Sequence, residues 1–361
     1  MPDSTLPMLV QQMLTPDFYP HPATEPICLM QTHVSYVLLT GDYVYKLKKP
    51  VNFGFLDYST LEKRKHFCEE ELRLNQRGAG ELYLGVVAIT DAAASAEANT
   101  EAKGAEIDGS GEPIEYAVKM RQFPQSALLS EQFANGLLDK EKVRSLAQVV
   151  ADFHSKTATS EHIRSYGTPT AIRQAFDENY EQTVAYVGGN EITKPQTQKQ
   201  FDETKAYTDS FFATEQALFQ KRLDADRIRA CHGDLHLGNI CEWEDKILLF
   251  DCIEFNEPFR FVDTMFDIAY IVMDLEVAGR QDLSQVFLNQ YVEATGDYEG
   301  LEILPLYVSR QSYVRAKVTS FMLGDPSVPE ADRKAASEKA AKYYRLAWAY
   351  VQKDRQKKKR P

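Results

Sequence analysis

Five short runs in the first 123 residues are rich in apolar, β-branched and aromatic side chains, a composition typical of β-strands. The strands are predicted at 27–30, 34–39, 43–48, 82–89 and 113–120. A turn at 40–42 joins the second and third strands as a hairpin. The segment 91–112 is rich in Ala, Glu, Gly and Ser, and we predict a hairpin loop there.

Two helices are predicted among these strands. The first is short and covers residues 5–14. The second begins at Ser59, because Glu62 three residues later completes a capping box. It runs to about Arg77, and Gly78 is its predicted stop.

Beyond residue 124 strands nearly vanish, and apolar residues recur with the helical period. Val143, Leu146, Val150 and Phe153 form one such apolar stripe. Further helices are predicted at 169–186, 195–223, 263–277, 281–294, 300–323 and 329–356. We therefore expect a small strand-rich lobe (1–123), a connection near 120–127, and a larger helical lobe (124–361).

The composition is that of a soluble globular protein. Of the 361 residues 43% are hydrophobic and 26% are charged. The five cysteines form no CxxC pair, which favours a reducing compartment. There is no apolar run near the roughly 20 residues that span a bilayer, and no basic signal-peptide start. We expect a cytoplasmic protein with no membrane partner.

The formal net charge of −12 argues against nucleic-acid binding, which requires basic surface. It would suit a cationic small substrate, although diffuse acidity more often serves solubility alone. The oligomeric state is left open.

Chemically capable side chains are densest at His232, Asp234, His236 and Asn239, and Asp251 follows a short apolar run downstream. Two carboxylates and a carboxamide are hard oxygen ligands of the kind that Mg²⁺ prefers. The alternative is a turn whose Asp and Asn bond their own backbone. For either block alone that alternative is the stronger interpretation.

Charged residues also interrupt apolar patterns in the first lobe. Alternation along strand 43–48 places Lys46 and Lys48 on one face. The simpler interpretation of such a lysine is that it lies at a sheet edge and prevents aggregation there. In the acidic run 69–71, Glu71 shares the apolar stripe of its predicted helix.

Taken together, the two blocks resemble the motifs of the aminoglycoside phosphotransferase-like families of small-molecule kinases. The residues that carry the resemblance are His232-Gly233-Asp234, Asn239 and Asp251. Their His-x-Asp-x-x-x-x-Asn spacing, followed by a strand and an Asp, is fairly specific when both blocks occur. The resemblance implies an α+β, two-lobed protein-kinase-like fold. Its first lobe would have an antiparallel sheet and one helix, and its second lobe would be mostly helical.

The resemblance also implies a role for each matching residue. Asp234 would be the catalytic base or orienter of the acceptor hydroxyl, and Asn239 and Asp251 would hold Mg²⁺ on the phosphates of ATP. Lys46 would pair with the α- and β-phosphates, and Glu71 would orient it. Possible substitutes in this ion pair are Lys48, Glu69 and Glu70.

The runs 40–57 and 251–255 look more closely like a bacterial branch of uncharacterised phosphotransferase-like proteins. Some members of that branch carry an additional P-loop domain. No GxxxxGK[S/T] motif occurs in this sequence, so we expect the kinase-like part alone.

One feature departs from the protein-kinase pattern, because the turn 31–35 has no glycine. The hydroxyls of Thr32 and Ser35 would then replace the backbone amides of a glycine-rich loop. By the same resemblance, adenine would lie against the connection near Met120, Arg121 and Gln122.

Five polar residues near the motif are possible loop supports or substrate contacts, namely His232, His236, Glu254, Asn256 and Asp267. His232 is expected to brace its loop by hydrogen bonds, and Asp267 to anchor the backbone of that loop. Glu254 and Asn256 follow the metal aspartate, and two roles stay open for them, support of the loop or contact with substrate or a second metal.

The leading hypothesis is an ATP- and Mg²⁺-dependent kinase acting on a hydroxyl of a small molecule, aminoglycoside- or sugar-like. The sequence does not decide the acceptor, or between ATP and GTP. One alternative is a metal-dependent hydrolase that uses His232, Asp234 and His236. Another is a non-catalytic nucleotide-binding regulator on the same fold.

Overall fold

The computed structural model describes residues 6–91, 104–188 and 192–357. By internal contacts the chain divides into two compact units. The first comprises Met1–Glu131 and Asn239–Glu257, and the second comprises Gln132–Gly238 and Pro258–Pro361. The lobe boundary at residue 123 stays a prediction.

The first unit is built on an antiparallel sheet, as expected. Its elements are α1 (Met8–Gln12), β1 (Cys28–Gln31), β2 (Ser35–Leu39), β3 (Tyr43–Lys48), α2 (Leu61–Ala79), β4 (Tyr83–Thr90), β5 (Glu106–Ile107), β6 (Pro113–Arg121), β8 (Ile240–Trp243) and β9 (Lys246–Leu249). The six-stranded sheet has the order β1-β2-β3-β6-β4-β5, and β8 pairs with β9 separately. Strand β5 was not predicted, and residues 92–103 of the expected loop lie outside the described residues.

Alternation along β3 sorts its side chains between two cores. Tyr45 and Leu47 are buried in a cluster with Met13 of the segment that follows α1. Val44 is buried on the other face in a cluster with Cys68 of α2. Lys46 and Lys48 share the face of Val44, so they point toward α2.

The bounds of α2 differ slightly from the prediction. Thr60, not Ser59, is the N-cap, and its side chain accepts from the Lys63 N–H. The helix also continues through Gly78 to Ala79. Gly78 is needed for close packing, because a Cβ there would lie 2.7 Å from the carbonyl oxygen of Leu249 in β9.

The second unit is mostly helical. The remaining elements are α3 (Leu129–Ala134), α4 (Lys140–Lys156), α5 (Glu161–Ser165), α6 (Pro169–Thr183), α7 (Gln198–Thr214), α8 (Gln216–Asp224), β7 (Ile228–Ala230), α9 (Glu257–Arg260), β10 (Phe261–Asp263), α10 (Thr264–Val277), α11 (Gln281–Thr295), α12 (Leu304–Phe321) and α13 (Glu330–Lys357). The predicted helix 195–223 is two helices, because the backbone at Glu215 leaves the helical region. Helix α10 is almost wholly buried, and α11 and α12 pack against it.

Two further properties concern the helices and the cysteines. Among the described residues there is no helix long and apolar enough to cross a membrane. All five cysteines are free thiols, and four of them are buried.

Candidate functional site

Lys46 lies at the centre of an ionic network in the first unit. Its Nζ is 2.8 Å from Glu71 Oε1 and 2.6 Å from Asp251 Oδ1. The Lys46 side chain is 16% exposed and that of Asp251 is 45% exposed, whereas Glu71 is fully buried. The ammonium group is thus held between an interior carboxylate and one that faces solvent.

Lys48 binds the second oxygen of the same glutamate. Its Nζ is 2.8 Å from Glu71 Oε2, and it also pairs with Glu254 and donates to the Tyr58 hydroxyl at 3.3 Å. Glu71 is therefore the partner of both strand lysines. The neighbouring acids bind elsewhere on the surface of α2, Glu69 with Lys65 and Glu70 with Arg73.

The network keeps its members charged. Burial alone would lower the pKa of Lys46, but the carboxylates of Asp251 and Glu71 outweigh it and raise that pKa well above its usual value. Burial would raise the pKa of Glu71, but Lys46 and Lys48 outweigh it, so that this pKa is lowered. Glu71 is thus a carboxylate at neutral pH.

Asp251 has an unusual backbone. Its φ is +60°, in the left-handed region that costs a residue with a side chain roughly 1–2 kcal/mol. Its N–H donates to the Tyr83 hydroxyl at 3.2 Å, and the N–H of Cys252 donates to Asn75 Oδ1 at 2.8 Å. Surrounding groups thus hold a strained turn, a combination that is frequent at functional sites.

Asn239 reaches the same place through the β8–β9 hairpin. Ile240 pairs with Leu249 in that hairpin, and the carbonyl of Asn239 accepts from the Phe250 N–H at 3.0 Å. Asn239 and Asp251 therefore come to one end of the hairpin, although 12 positions separate them. Their side chains supply a carboxamide and a carboxylate oxygen, a donor set that fits Mg²⁺.

Asp234 belongs to the second unit. Its carboxylate is 37% exposed, and His236 Nε2 lies 3.4 Å from Asp234 Oδ2. Because His236 Nδ1 accepts from the Gly238 N–H at 3.0 Å, the proton of a neutral ring is on Nε2, directed at Asp234. Burial would raise the pKa of Asp234, but the His236 contact outweighs it and lowers that pKa.

Helix α10 holds the loop of Asp234 at two points. Buried Asp267 accepts from the N–H groups of His232 and Gly233 at 3.0 and 2.8 Å. One helical repeat of seven residues further on, Asp274 accepts from the Leu237 N–H at 2.9 Å. Two acids on one face of α10 thus anchor both ends of the loop.

Two residues of this anchor were missed by the sequence analysis. His154 of α4 binds Asp267 through Nε2 at 3.0 Å and Tyr291 through Nδ1 at 2.8 Å. Asp274 was the other, and its seven-residue spacing from Asp267 in an apolar helix was an available signal. A lone His in the apolar stripe of α4 carried no comparable signal.

The hydrolase alternative requires His232, Asp234 and His236 to lie together as metal ligands. His232 is buried, and its Nδ1 accepts from the Asp234 N–H at 3.3 Å. Among the described residues, the one group of three potential ligands with atoms within 4.8 Å of one another is His154, Cys231 and Asp267. His232, Asp234 and His236 do not form such a group, and His154 and Asp267 already bind each other.

The glycine-free turn uses its own polar groups. Thr32 Oγ1 accepts from the N–H groups of Val34 and Ser35 at 3.2 and 2.9 Å, and Ser35 is buried. The Thr32 hydroxyl therefore stabilises the turn, as hydroxyls commonly do. A phosphate contact by either hydroxyl stays a prediction.

Two backbone N–H groups near the connection after β6 already donate hydrogen bonds within the protein. Met120 is buried within the sheet. The Arg121 N–H donates to Leu82 O at 2.8 Å and the Gln122 N–H to Asp42 O at 2.9 Å. A base bound here would have to use other backbone groups than these two amides.

Glu254 and Asn256 are bound inside the first unit. Glu254 is buried against Lys48 and Tyr58. Asn256 Nδ2 donates to the carbonyl oxygen of Phe55 at 2.9 Å. These contacts hold the loop that follows Asp251, and a contact of either residue with substrate or a second metal stays a prediction.

Comparison with known sequences finds relatives without an assigned activity. No family model matches the chain. Uncharacterised proteins of Mycobacterium tuberculosis and Mycobacterium bovis are 30% identical to it over 314 residues, which is 85% of this chain and 58% of theirs. The chain thus spans less than two thirds of the length of these relatives.

Comparison with solved structures identifies the fold. The GDP complex of aminoglycoside 2'-phosphotransferase-IIIa has a TM-score of 0.53 at 14% identity, covering 97% of this chain and 98% of that one. A choline/ethanolamine kinase family protein from Mesorhizobium loti has a TM-score of 0.51 at 10% identity, covering 96% and 100%. A microcompartment-associated aminopropanol kinase gives 0.51 at 15% identity, covering 96% and 97%.

These similarities show the fold of the chain, which is the protein-kinase-like fold of the aminoglycoside phosphotransferase and choline/ethanolamine kinase structures. The fold that the motifs predicted is thereby confirmed.

Proposed function

We propose that the protein is an ATP- and Mg²⁺-dependent phosphotransferase that acts on a hydroxyl of a small molecule. The observation that carries the proposal is the position of Lys46, in contact with both Glu71 and Asp251. A lysine held by an interior carboxylate, beside a second carboxylate that can bind a metal, is the arrangement that kinases use for nucleotide phosphates.

In this reaction Lys46 would bind the α- and β-phosphates and neutralise their charge, since its own charge is secured by the two carboxylates. Asn239 and Asp251 would hold Mg²⁺ through their side-chain oxygens. When bound, Mg²⁺ would neutralise further charge on the phosphates.

Asp234 would accept a hydrogen bond from the acceptor hydroxyl and direct its oxygen at the γ-phosphorus. The new bond joins the acceptor oxygen to that phosphorus, the bond to the β–γ bridging oxygen breaks, and ADP leaves. The hydroxyl proton passes to the Asp234 carboxylate. Because the pKa of Asp234 is lowered, orientation would contribute more than strong basicity.

The acceptor would be a small alcohol of the aminoglycoside or sugar type. Structures of the same fold are an aminoglycoside phosphotransferase, a choline/ethanolamine kinase family protein and an aminopropanol kinase. The net charge of −12 favours a cationic acceptor and disfavours nucleic acid. An ATP-dependent activity of this kind would belong in the cytoplasm.

The test is acceptor-dependent release of ADP from Mg-ATP across a panel of amino alcohols, sugars and aminoglycosides. Asp234→Asn should lower turnover by about a hundredfold to ten-thousandfold while ATP binding persists. The exposed Asp202→Asn serves as the matched control in the second unit and should retain full turnover.

Two results would reject the proposal. Mg-ATP binding without transfer to any acceptor would support the regulator instead. Stoichiometric Zn²⁺ or Mn²⁺ in the purified protein, together with no ATP binding, would support the hydrolase.

A further inference from the structure

The proposed reaction leaves three buried residues without a role. Lys48, Glu254 and Tyr58 do not belong to the phosphate, metal or acceptor groups described above. Tyr58 donates to Glu254 Oε1 at 2.5 Å, and Lys48 Nζ lies 4.8 Å from the centre of the Tyr58 ring. They form a compact polar group in the interior of the first unit.

Stability is a weak reason for such a group. Removing charges from water costs several kcal/mol per ion, so that a buried ion pair is often no more stabilising than apolar side chains of the same volume. The group can contribute instead by fixing the positions of the side chains and the loop that it binds.

The contacts of Lys48 connect the two segments that bind Lys46. Glu71 gives one carboxylate oxygen to Lys46 and the other to Lys48, so Lys48 fixes the rotation of that carboxylate. Lys48 is in turn bound to Glu254, which follows Asp251 by three residues. One ammonium group thus links the partner of Lys46 in α2 to the loop that carries its other partner.

We propose that Lys48, Glu254 and Tyr58 are positioning residues that hold Glu71 and the loop of Asp251 in the geometry needed by Lys46. The inference rests on the proposed function, since it concerns the site for the nucleotide phosphates. The positioning group would hold Lys46 through Glu71 if Asp251 were bound to a metal ion. It acts through Glu71 and the loop 251–256, and it does not touch the phosphates.

Three variants separate positioning from simple electrostatics. Lys48→Met removes one positive charge from the network and Glu254→Gln removes one negative charge. The double variant therefore retains the net charge of the native network. If only the net charge mattered, the double variant would regain activity.

We expect kcat to fall by about tenfold to a hundredfold in each single variant, the range for small misplacements of reacting groups. The double variant should stay equally impaired, and the KM for the acceptor should not change in any of them. Tyr58→Phe removes the hydrogen bonds that the hydroxyl makes with Glu254 and Lys48 but no charge, and it should give a smaller loss in the same direction. It keeps the inference testable if the other variants fold poorly.

Amide hydrogen exchange supplies a readout independent of catalysis. The Cys252 N–H is bonded to Asn75 Oδ1, so the segment 251–256 should exchange slowly in the native protein. Exchange there should rise in Lys48→Met and Glu254→Gln. The matched control is the exposed pair Lys246 and Glu81, whose removal should change neither kcat nor this exchange.

The outcomes distinguish this inference from the proposed function. Native kcat in all the variants, or full recovery in the double variant, would overturn the positioning role while leaving the kinase intact. If the native protein transfers no phosphate, the proposed function fails. The exchange data then decide separately, since unchanged exchange rejects the inference and faster exchange supports its structural basis.

Discussion

At the scale of single residues, neighbouring groups set the charge and the conformation of each site residue. Asp251 combines a left-handed backbone, a half-exposed carboxylate and an ion pair with Lys46. Its N–H is held by the Tyr83 hydroxyl. The carboxylate is thus presented to solvent in a fixed direction, which suits a metal ligand.

Replacing Asp251 by Asn should weaken the binding of Mg-ATP more than that of metal-free ATP. The loss for Mg-ATP should be at least about tenfold, the lower limit for removal of even an outer-sphere partner of a metal. Calorimetric titration with and without Mg²⁺ measures the difference. Equal affinities for both forms would contradict the metal role.

Asp267 allows a prediction about pH. Burial would raise its pKa, but the hydrogen bond from His154 outweighs it and lowers that pKa. A carboxyl whose folded-state pKa is lowered contributes stability that is complete above its unfolded-state pKa of about 3.9 and is lost as the pH falls through the folded-state value.

Asp267→Asn should therefore reduce the free energy of unfolding at pH 7 by about 3–5 kcal/mol, as expected when a buried partner is removed. The difference from the native protein should shrink below about pH 3.9. Urea denaturation across this pH range provides the measurement. A difference that did not depend on pH would show that the charge of Asp267 contributes nothing.

At the scale of elements, close packing of α2 on β9 places Glu71 and Asp251 within reach of one lysine. Gly78 allows that approach, because a Cβ at this position would meet the backbone of Leu249. The predicted helix end at Gly78 was wrong, because this glycine allows α2 to pack closely on β9 and does not terminate the helix.

Gly78→Ala should destabilise the protein. The strain of about 1–3 kcal/mol from overpacking exceeds the gain in helix propensity of up to about 1 kcal/mol. Gly85→Ala in β4 is the control, since a Cβ there meets nothing within 4 Å. Thermal unfolding of both variants tests the comparison, and equal stability would mean that α2 can shift away from β9.

At the scale of the whole molecule, ligand binding should raise the stability of the folded protein. A ligand that binds only the folded state at about 100 times its Kd adds about 2.7 kcal/mol. Mg-ATP should thus raise the Tm of the native protein. At the same concentration it should raise the Tm of Asp251→Asn much less, and an unchanged Tm in the native protein would argue against nucleotide binding.

The sequence by itself determined the class of fold and the outline of the candidate site. Periods of two and 3.6 residues predicted β3, α2 and α10 nearly at their observed bounds, because burial of one face is a local property of the chain. The same alternation placed Lys46 and Lys48 on one face of β3. Spacing within one loop predicted Asp234 and Asn239 as site residues.

Only the tertiary structure decided which groups meet. Lys46 binds Glu71 and Asp251 across 25 and 205 positions of the chain, and Glu71 proves to serve two lysines at once. Glu254, for which the sequence left loop support and a ligand contact open, is the partner of Lys48. Such pairings depend on how distant elements pack, and the side-chain pattern within any one element carries no information about that packing.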